Sequence, residues 1–373
     1  MTDLPGDRLI LTSDDIDLSR SPLAADLGGQ TYVLGAFNPG LTRLPNGNLL
    51  LMVRIAEALR EPVRDGHVHA IRWDQGRYRL DRWPCSAVDL TDPRTFRLRD
   101  QPSPVAGLTS LSWLLPVELS ANAEEIVRID YDAAITPCSP VQCYGLEDPR
   151  ISRIGETWWM TVCSVSPERQ ATSLYRSDNA REWTFEGLVL DHQNKDMLLF
   201  EGVIDGRYWA QTRPLGDVYF AYPPESEWQS GPSINLASSP DALHWKPCIE
   251  PGIRPHSATV ATARMGGGAP PIRTRDGWLS LWHGVEPNDS AGVYRTYWSM
   301  LDADRPWQVV RTDHHALIEA DPALTRGLED KMYLSDIVFT TGIVDEGDHF
   351  LIASGEADLA CRLSRVAYSR FGL

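Results

Sequence analysis

One unit recurs five times along this chain of 373 residues: an apolar strand, a tight turn carrying glycine, and a second strand rich in aliphatic and aromatic residues. The copies pair residues 41–44 with 49–53 about Asn46-Gly47, 151–154 with 158–162 about Gly155, and 198–204 with 208–211 about Asp205-Gly206; two more pair 271–273 with 278–282 about Asp276-Gly277, and 337–344 with 350–353 about Glu346-Gly347. Asn-Gly and Asp-Gly between alternating strands favour turns whose twist matches that of paired strands, so these copies predict β-hairpins. Helical periodicity is almost absent. A polar turn closed by tryptophan occurs twice between the copies, at 177–183 and 239–245, as expected of links between outer strands. Four-stranded units at roughly 50 to 70 residues, stretched by loops beyond the ~40–50 of a usual blade, predict an all-β five-bladed β-propeller. A two-sheet sandwich is the alternative, but it has no need of five similar hairpins spread over the whole chain. Residues 1–373 are read as one domain, with 1–30 an extension that packs on the propeller or closes it.

Composition limits the partners. The 51 acidic against 35 basic residues give a net charge of −16, which repels a nucleic-acid backbone, so any anion this protein binds needs a local basic pocket. No segment approaches the length of a membrane span and the first ten residues lack a leader pattern, so the expected location is cytoplasmic, with no membrane partner. The six cysteines include no C-x-x-C pair and are read as reduced thiols. Thirteen tryptophans and twelve tyrosines suit packed strands or a carbohydrate-facing cleft. A homo-oligomer is allowed by the sequence and not fixed by it.

Chemistry-bearing residues gather where the hairpin strands begin and end. Gly145-Leu146-Glu147-Asp148-Pro149-Arg150 puts two acids, a proline and an arginine at one strand mouth. Pro149 disfavours helical geometry at Asp148 and predicts an extended residue, with Arg150 two positions on along the same face. The other strand starts carry Asn38-Pro39, Lys195-Asp196 leading to Glu201, the run Gly266-Gly267-Gly268, and Ser335-Asp336; second strands end in Arg54, Arg213, His283 and Glu356-Ala357-Asp358. In a propeller the first strand of each blade lines the channel, so these groups would meet on the axis.

These residues resemble glycoside hydrolase family 130, the β-mannoside phosphorylases and related β-mannosidases, which are five-bladed propellers. The resemblance rests on Phe37-Asn38-Pro39 with Arg54, on residues 145–151, on Asn194-Lys195-Asp196 with Leu199-Phe200, on Arg213-Pro214, on residues 266–272 with Gly277-Trp278 and His283-Gly284-Val285, and on residues 339–343 with Ala357-Asp358. It implies that Asp148 is the catalytic acid, passing its proton to the leaving oxygen through a mannose hydroxyl. Asn38, Arg54 and Asp358 would hold the mannose, Lys195 and His283 with Arg169 and Arg176 the phosphate, and Glu147, Arg150 and Arg213 would border the site. The family pattern has proline at Glu201 and alanine at Glu356; both departures add carboxylates expected near the axis.

An inverting hydrolase needs two carboxylates, one to protonate the leaving group and one to activate water across the ring. A phosphorylase needs one, because phosphate is already a nucleophile and requires cations to orient it. Three functions are therefore carried forward. The first is an inverting phosphorylase that converts a β-linked manno-oligosaccharide or mannosyl disaccharide and inorganic phosphate to α-mannose 1-phosphate, with no cofactor and no metal. The second is an inverting β-mannosidase with Glu201 as base, and the third a non-catalytic carbohydrate-binding propeller. Plainer readings stand beside these: Arg150 as a salt-bridge partner, His283 as a core histidine, the glycine run as a close backbone approach rather than a phosphate loop, and His67 and His69 as structural. Acceptor choice is assigned to loops 57–65, 164–172, 286–294 and 320–331.

Overall fold

All five predicted hairpins form in the computed structural model, which describes residues 6–92, 94–101, 104–190, 192–216, 219–259, 264–288 and 291–373. Four hairpins supply the first two strands of four-stranded antiparallel sheets, and the fourth in chain order lies in a five-stranded one. Sheet I runs Thr31–Arg43, Leu49–Leu59, Ser110–Leu119, Ile126–Ile129; sheet II runs Leu146–Ile154, Thr157–Val165, Gln170–Ser177, Thr184–Leu190; sheet III runs Asn194–Ile204, Arg207–Pro214, Asn235–Ser239, Lys246–Pro247. Sheet IV begins with Arg264–Gly267 and Ile272–Thr274, both paired to Gly277–Glu286, and continues with Val293–Leu301 and Val309–Ile318. Sheet V runs Val338–Asp345, His349–Glu356, Ala360–Ala367 and ends on Arg8–Leu11, so its outermost strand comes from the other end of the chain.

The tryptophan-closed turns link third to fourth strands, as the sequence predicts. Asn179 accepts the backbone N–H groups of Arg181 and Glu182 on its side-chain oxygen, and Asp241 does the same for Leu243 and His244. A third copy, unnoticed in the sequence, uses Asp302 for Asp304 and Arg305 ahead of Trp307. In each case a short carboxyl or amide side chain stands in for a backbone acceptor and fixes the turn.

Alternation along the strands sends apolar residues to both faces, and the buried clusters fall between sheets. Leu50, Met52, Ile151, Trp158 and Met160 join sheets I and II; Ile154, Trp159, Met197 and Leu199 join II and III; Phe200, Met265, Trp278 and Trp282 join III and IV. Ile272, Leu279, Val338 and Phe350 join IV and V, and Leu41, Leu51, Leu351 and Leu363 join V and I. The leading strands of sheets I, II and III also touch in that order, the leading strand of III touches that of IV, and the leading strand of V touches both sheet IV and sheet I.

The extra length of sheet I is folded rather than looped. Between its second and third strands lie two small three-stranded sheets, Val63–Arg64, His67–Asp74, Arg77–Pro84 and Val88–Asp89, Thr95–Leu98, Ala106–Leu108. His67 and His69 sit on the first of these, and no metal-binding group of three or more His, Cys, Asp or Glu occurs among the described residues. All six cysteines are unpaired. No described helix is long and apolar enough to cross a membrane.

Candidate active site

Strand pairing slips at the same point of three leading strands. The register shifts between Phe37 and Gly40 in sheet I, Glu147 and Arg150 in sheet II, and Lys195 and Leu198 in sheet III. The first unpaired residue at each slip is Asn38, Asp148 or Asp196, with φ of 49°, 51° and 57°. That left-handed region is one that Asn and Asp enter more readily than other side-chain-bearing residues, and a bulge of this kind re-aims the side chain it carries. Asp148 is therefore not extended, as Pro149 alone had suggested. Nor does Arg150 share its outlook: its Nη1 donates to the Asp148 carbonyl at 2.9 Å while Nη2 reaches Asp196 Oδ1 at 3.0 Å.

The three bulges meet in a pocket of about 470 Å³ that also receives Arg54, Glu147, Lys195, Arg213, His283 and Asp358. Asn38 and Arg54 donate to Asp148 Oδ1 at 2.9 and 2.8 Å. Asp148 Oδ2 accepts no hydrogen bond among the described residues and is the oxygen available to the pocket. Glu147 takes Arg54 on one oxygen at 2.8 Å and Lys195 Nζ on the other at 3.0 Å. Burial pushes both carboxyls up, but the surrounding charges of Arg54 and Lys195, with Arg150 near Asp148, outweigh it and hold both below the usual carboxylate range.

Asp196 is the centre of a second group. Its two oxygens lie 3.0 Å from Arg150 Nη2 and 3.0 Å from Arg213 Nε, with His283 Nε2 at 3.7 Å. The glycine run finds its reason here: a Cβ on Gly266 would stand 2.4 Å from Asp196 Oδ2 and 2.6 Å from His283 Cε1, so only glycine lets the cluster close. Burial pushes His283 down to about 3, leaving it a neutral imidazole, and its ring packs 4.6 Å from that of Phe339. Asp358 is the exception among the pocket acids, pushed up to about 6 by burial that Arg54 and Arg94 only partly offset.

Four other residues singled out in the sequence lie elsewhere. Arg169 sits in the turn before Gln170, half-buried and 3.6 Å from Glu168; Gln170 lines the pocket but Arg169 does not. Arg176 is exposed, pairs with Asp178 at 3.0 Å, and stands six residues farther along the strand than Gln170, about 20 Å at the usual rise. Glu201 is likewise six residues beyond Lys195 on its strand, where it accepts the Arg153 backbone N–H at 3.4 Å. With no ion pair to it among the described residues, burial pushes it up to about 8. It is too far from the pocket to activate water there. Glu356 is buried against Arg362 at 2.8 Å and takes the Asp321 N–H, a structural pairing rather than an added pocket acid.

The sequence places Asp196 at a strand start without giving it a role, although it follows Lys195 as Asp148 follows Glu147, and aligning the repeats pairs the two aspartates. Arg94, Thr95 and Leu108 from the inserted sheets, Tyr219 from the segment between the second and third strands of sheet III, and Tyr294 and Tyr333 also line the pocket. Of the loops expected to set acceptor choice, only Gln170 and Tyr294 reach it, and residues 289 and 290 of one of them lie outside the described residues. Glu57, in another, is buried under the hydroxyls of Ser21 and Thr31 and the Trp113 indole. A separate hollow of about 620 Å³ on the flank of sheet III carries none of the paired acids and cations.

Comparison with known proteins gives a consistent picture. A family model described as beta-1,4-mannooligosaccharide phosphorylase matches residues 115–369. The chain is 28% identical over 338 residues to a beta-1,2-mannobiose phosphorylase of Listeria innocua, covering 87% of each. It is 31% identical over 217 residues to a 1,2-beta-oligomannan phosphorylase of Thermoanaerobacter sp., covering 57% of this chain and 65% of that one. Among solved structures, the Listeria innocua beta-1,2-mannobiose phosphorylase in complex with beta-1,2-mannobiose superposes with a TM-score of 0.81 at 26% identity, over 97% of this chain and 95% of the other.

Proposed function

The chain belongs to glycoside hydrolase family 130, and from that premise we propose that it is an inverting phosphorylase that cleaves a β-mannoside with inorganic phosphate to α-mannose 1-phosphate and a shortened acceptor sugar. The observation that carries this reading is the cation set gathered in one pocket of an acidic protein, Lys195 paired to Glu147 and Arg213 to Asp196, with the free oxygen of Asp148 facing the same space. Phosphate needs such cations and water does not. The hydrolase reading loses its base, because Glu201 lies at the far end of its strand.

In this reading Asn38, Arg54 and Asp358 hold the mannose, and Lys195, Arg213 and His283 hold phosphate, oriented from behind by Arg150 and Asp196. A phosphate oxygen attacks the anomeric carbon from the face opposite the leaving oxygen; the C1–O bond to the acceptor breaks, the C1–O–P bond forms, and configuration inverts. The departing oxygen takes a proton that originates on Asp148 and passes through a mannose hydroxyl. Arg54 and Lys195 keep Asp148 ionised while they face only protein carboxylates; a phosphate dianion beside Lys195 offsets their charge and raises the Asp148 carboxyl toward the protonated state the acid needs. No resident cofactor enters this chemistry.

The five sheets are read as the blades of one five-bladed propeller spanning the chain, with Arg8–Leu11 completing the last blade; the succession of inter-sheet clusters from I through V and back to I supports this. Unpaired cysteines are in keeping with a cytoplasmic enzyme. Because a relative named for β-1,2-mannobiose matches over 87% of the chain and superposes over 97% of it, β-1,2-mannobiose is the first substrate to try. The test is a panel of β-1,2-, β-1,3- and β-1,4-linked mannosides with and without phosphate. Phosphate-dependent release of α-mannose 1-phosphate is expected; free mannose appearing independently of phosphate would sink the reading.

A further inference from the structure

One wall of the pocket does not come from the leading strands. Arg94, Thr95 and Leu108 reach it from the inserted sheets. The Arg94 guanidinium is gripped side-on by Asp92, Nε to Oδ1 at 3.1 Å and Nη2 to Oδ2 at 3.0 Å, and Asp92 Oδ1 also takes the Arg94 backbone N–H at 2.9 Å. The Arg94 carbonyl accepts the Thr109 N–H at 3.1 Å, which ties the residue to the start of the next strand. Both ends of Arg94 are therefore fixed. Asp92 does not line the pocket, so the counter-ion sits behind the cation and the remaining donors, on Nη1 and the outer side of Nη2, form the open edge.

This differs from Arg54, Lys195 and Arg213 in the same pocket. Arg54 and Lys195 are paired to Glu147 and Arg213 to Asp196, all within the pocket itself. Arg94 also stands apart from the Asp196 group: among the described acids it pairs with Asp92 alone, whereas Arg150, Arg213 and His283 lie within 3.7 Å of Asp196. In an inverting displacement nucleophile and leaving group occupy opposite faces of the sugar. If phosphate takes the Asp196 side, the departing sugar is left the side of Arg94. A guanidinium edge offers two parallel N–H donors, which match two neighbouring hydroxyls, and Asp92 has already neutralised its charge, which suits an uncharged ligand.

We propose that Arg94, held by Asp92, is a specificity-determining residue for the acceptor sugar, its open edge donating to a pair of neighbouring hydroxyls on the unit that leaves. The proposal rests on the phosphorylase reading. Its test runs the reaction in the synthetic direction with α-mannose 1-phosphate and mannose as acceptor. Arg94→Ala raises the acceptor KM about tenfold or more and leaves the KM for α-mannose 1-phosphate within about twofold; Arg94→Lys fails to rescue, since the paired donors are gone. Asp92→Asn, which leaves the cation in place but loosens it, gives a smaller rise in the same parameter. Acceptors lacking single hydroxyls supply a check that needs no assumption about folding: the hydroxyls whose loss is costly for the wild type cost nothing further in Arg94→Ala. Equal rises in both KM values, a rise confined to phosphate in the phosphorolytic direction, or additive effects of mutation and deoxygenation would each overturn the proposal. A wild type without phosphate-dependent turnover would instead fail the phosphorylase reading, and calorimetry of mannobiose against mannose on Asp148→Asn, with and without Arg94→Ala, would then decide Arg94 by itself.

Discussion

Asp148 and Asp196 occupy equivalent bulges in neighbouring sheets, at φ of 51° and 57°, each following a residue whose side chain also enters the pocket. Both are buried, and both are held below the usual carboxylate range against the opposing push of burial. They differ in how their oxygens are used. Asp196 accepts a hydrogen bond from Arg150 on one oxygen and sets the other in ion-pair contact with Arg213, so both oxygens face buried guanidinia. Asp148 takes Asn38 and Arg54 on the same oxygen and keeps the other open. One backbone device, repeated, has produced a group able to exchange a proton and a group able only to organise cations.

The largest expected effect breaks this pair at its first member. Asp148→Asn abolishes turnover in both directions, by about a thousandfold or more, while sugar binding survives and the melting temperature moves by a few degrees at most, since Arg54 keeps Glu147 as its partner. Steady-state assays with calorimetry check it, and unchanged kcat would remove Asp148 from the chemistry. Asp196→Asn is expected to reverse the balance. Leaving Arg150 and Arg213 buried beside each other without their anion costs about 3 kcal/mol, seen as a loss of several degrees in Tm, with residual activity that shows a raised KM for phosphate and a near-normal KM for sugar. Equal damage to both KM values would make Asp196 a general structural acid.

Smaller effects sharpen the boundary of the site. Glu201, displaced up to about 8, binds its proton more tightly in the folded chain than in the unfolded one between about pH 4.5 and pH 8. In that window the folded state carries more protons, so stability falls as pH rises. Glu201→Gln should therefore flatten the decline of Tm between pH 5 and pH 8.5 and leave kcat within about twofold; a collapse of activity would revive Glu201 as a base. Arg176→Ala, the mildest change, should alter neither the phosphate KM nor Tm by a measurable amount, given its exposed pairing with Asp178.

Much of this was legible in the sequence because hairpins are local. Asn46-Gly47 and Asp205-Gly206 fix turn chemistry within four residues, and alternation on either side fixes which strands pair. The motif 145–150 and its counterparts also announced Asp148, Arg54, Lys195 and His283 as pocket residues, since charged groups at the same point of several repeats have a common destination. What failed depended on direction or distance. Pro149 suggested an extended Asp148, but pairing with strand 157–165 imposed a bulge that a dipeptide rule does not contain. The family resemblance set Arg176 at the phosphate and the departure from its pattern set Glu201 near the axis, yet at about 3.3 Å per residue six positions along a strand carry a side chain out of reach.

The sequence by itself determined five hairpins, their turns, an all-β chain and the set of groups able to serve phosphate and sugar, because these follow from neighbours in the chain and from residue type. Only the tertiary structure decided which oxygen of which aspartate is free, that Gly266 is small so that Asp196, His283 and Arg213 can meet, and that an insertion within sheet I returns to give the pocket Arg94. Those facts belong to contacts between residues far apart in the chain, and they are fixed by packing between sheets, whose geometry no single strand contains.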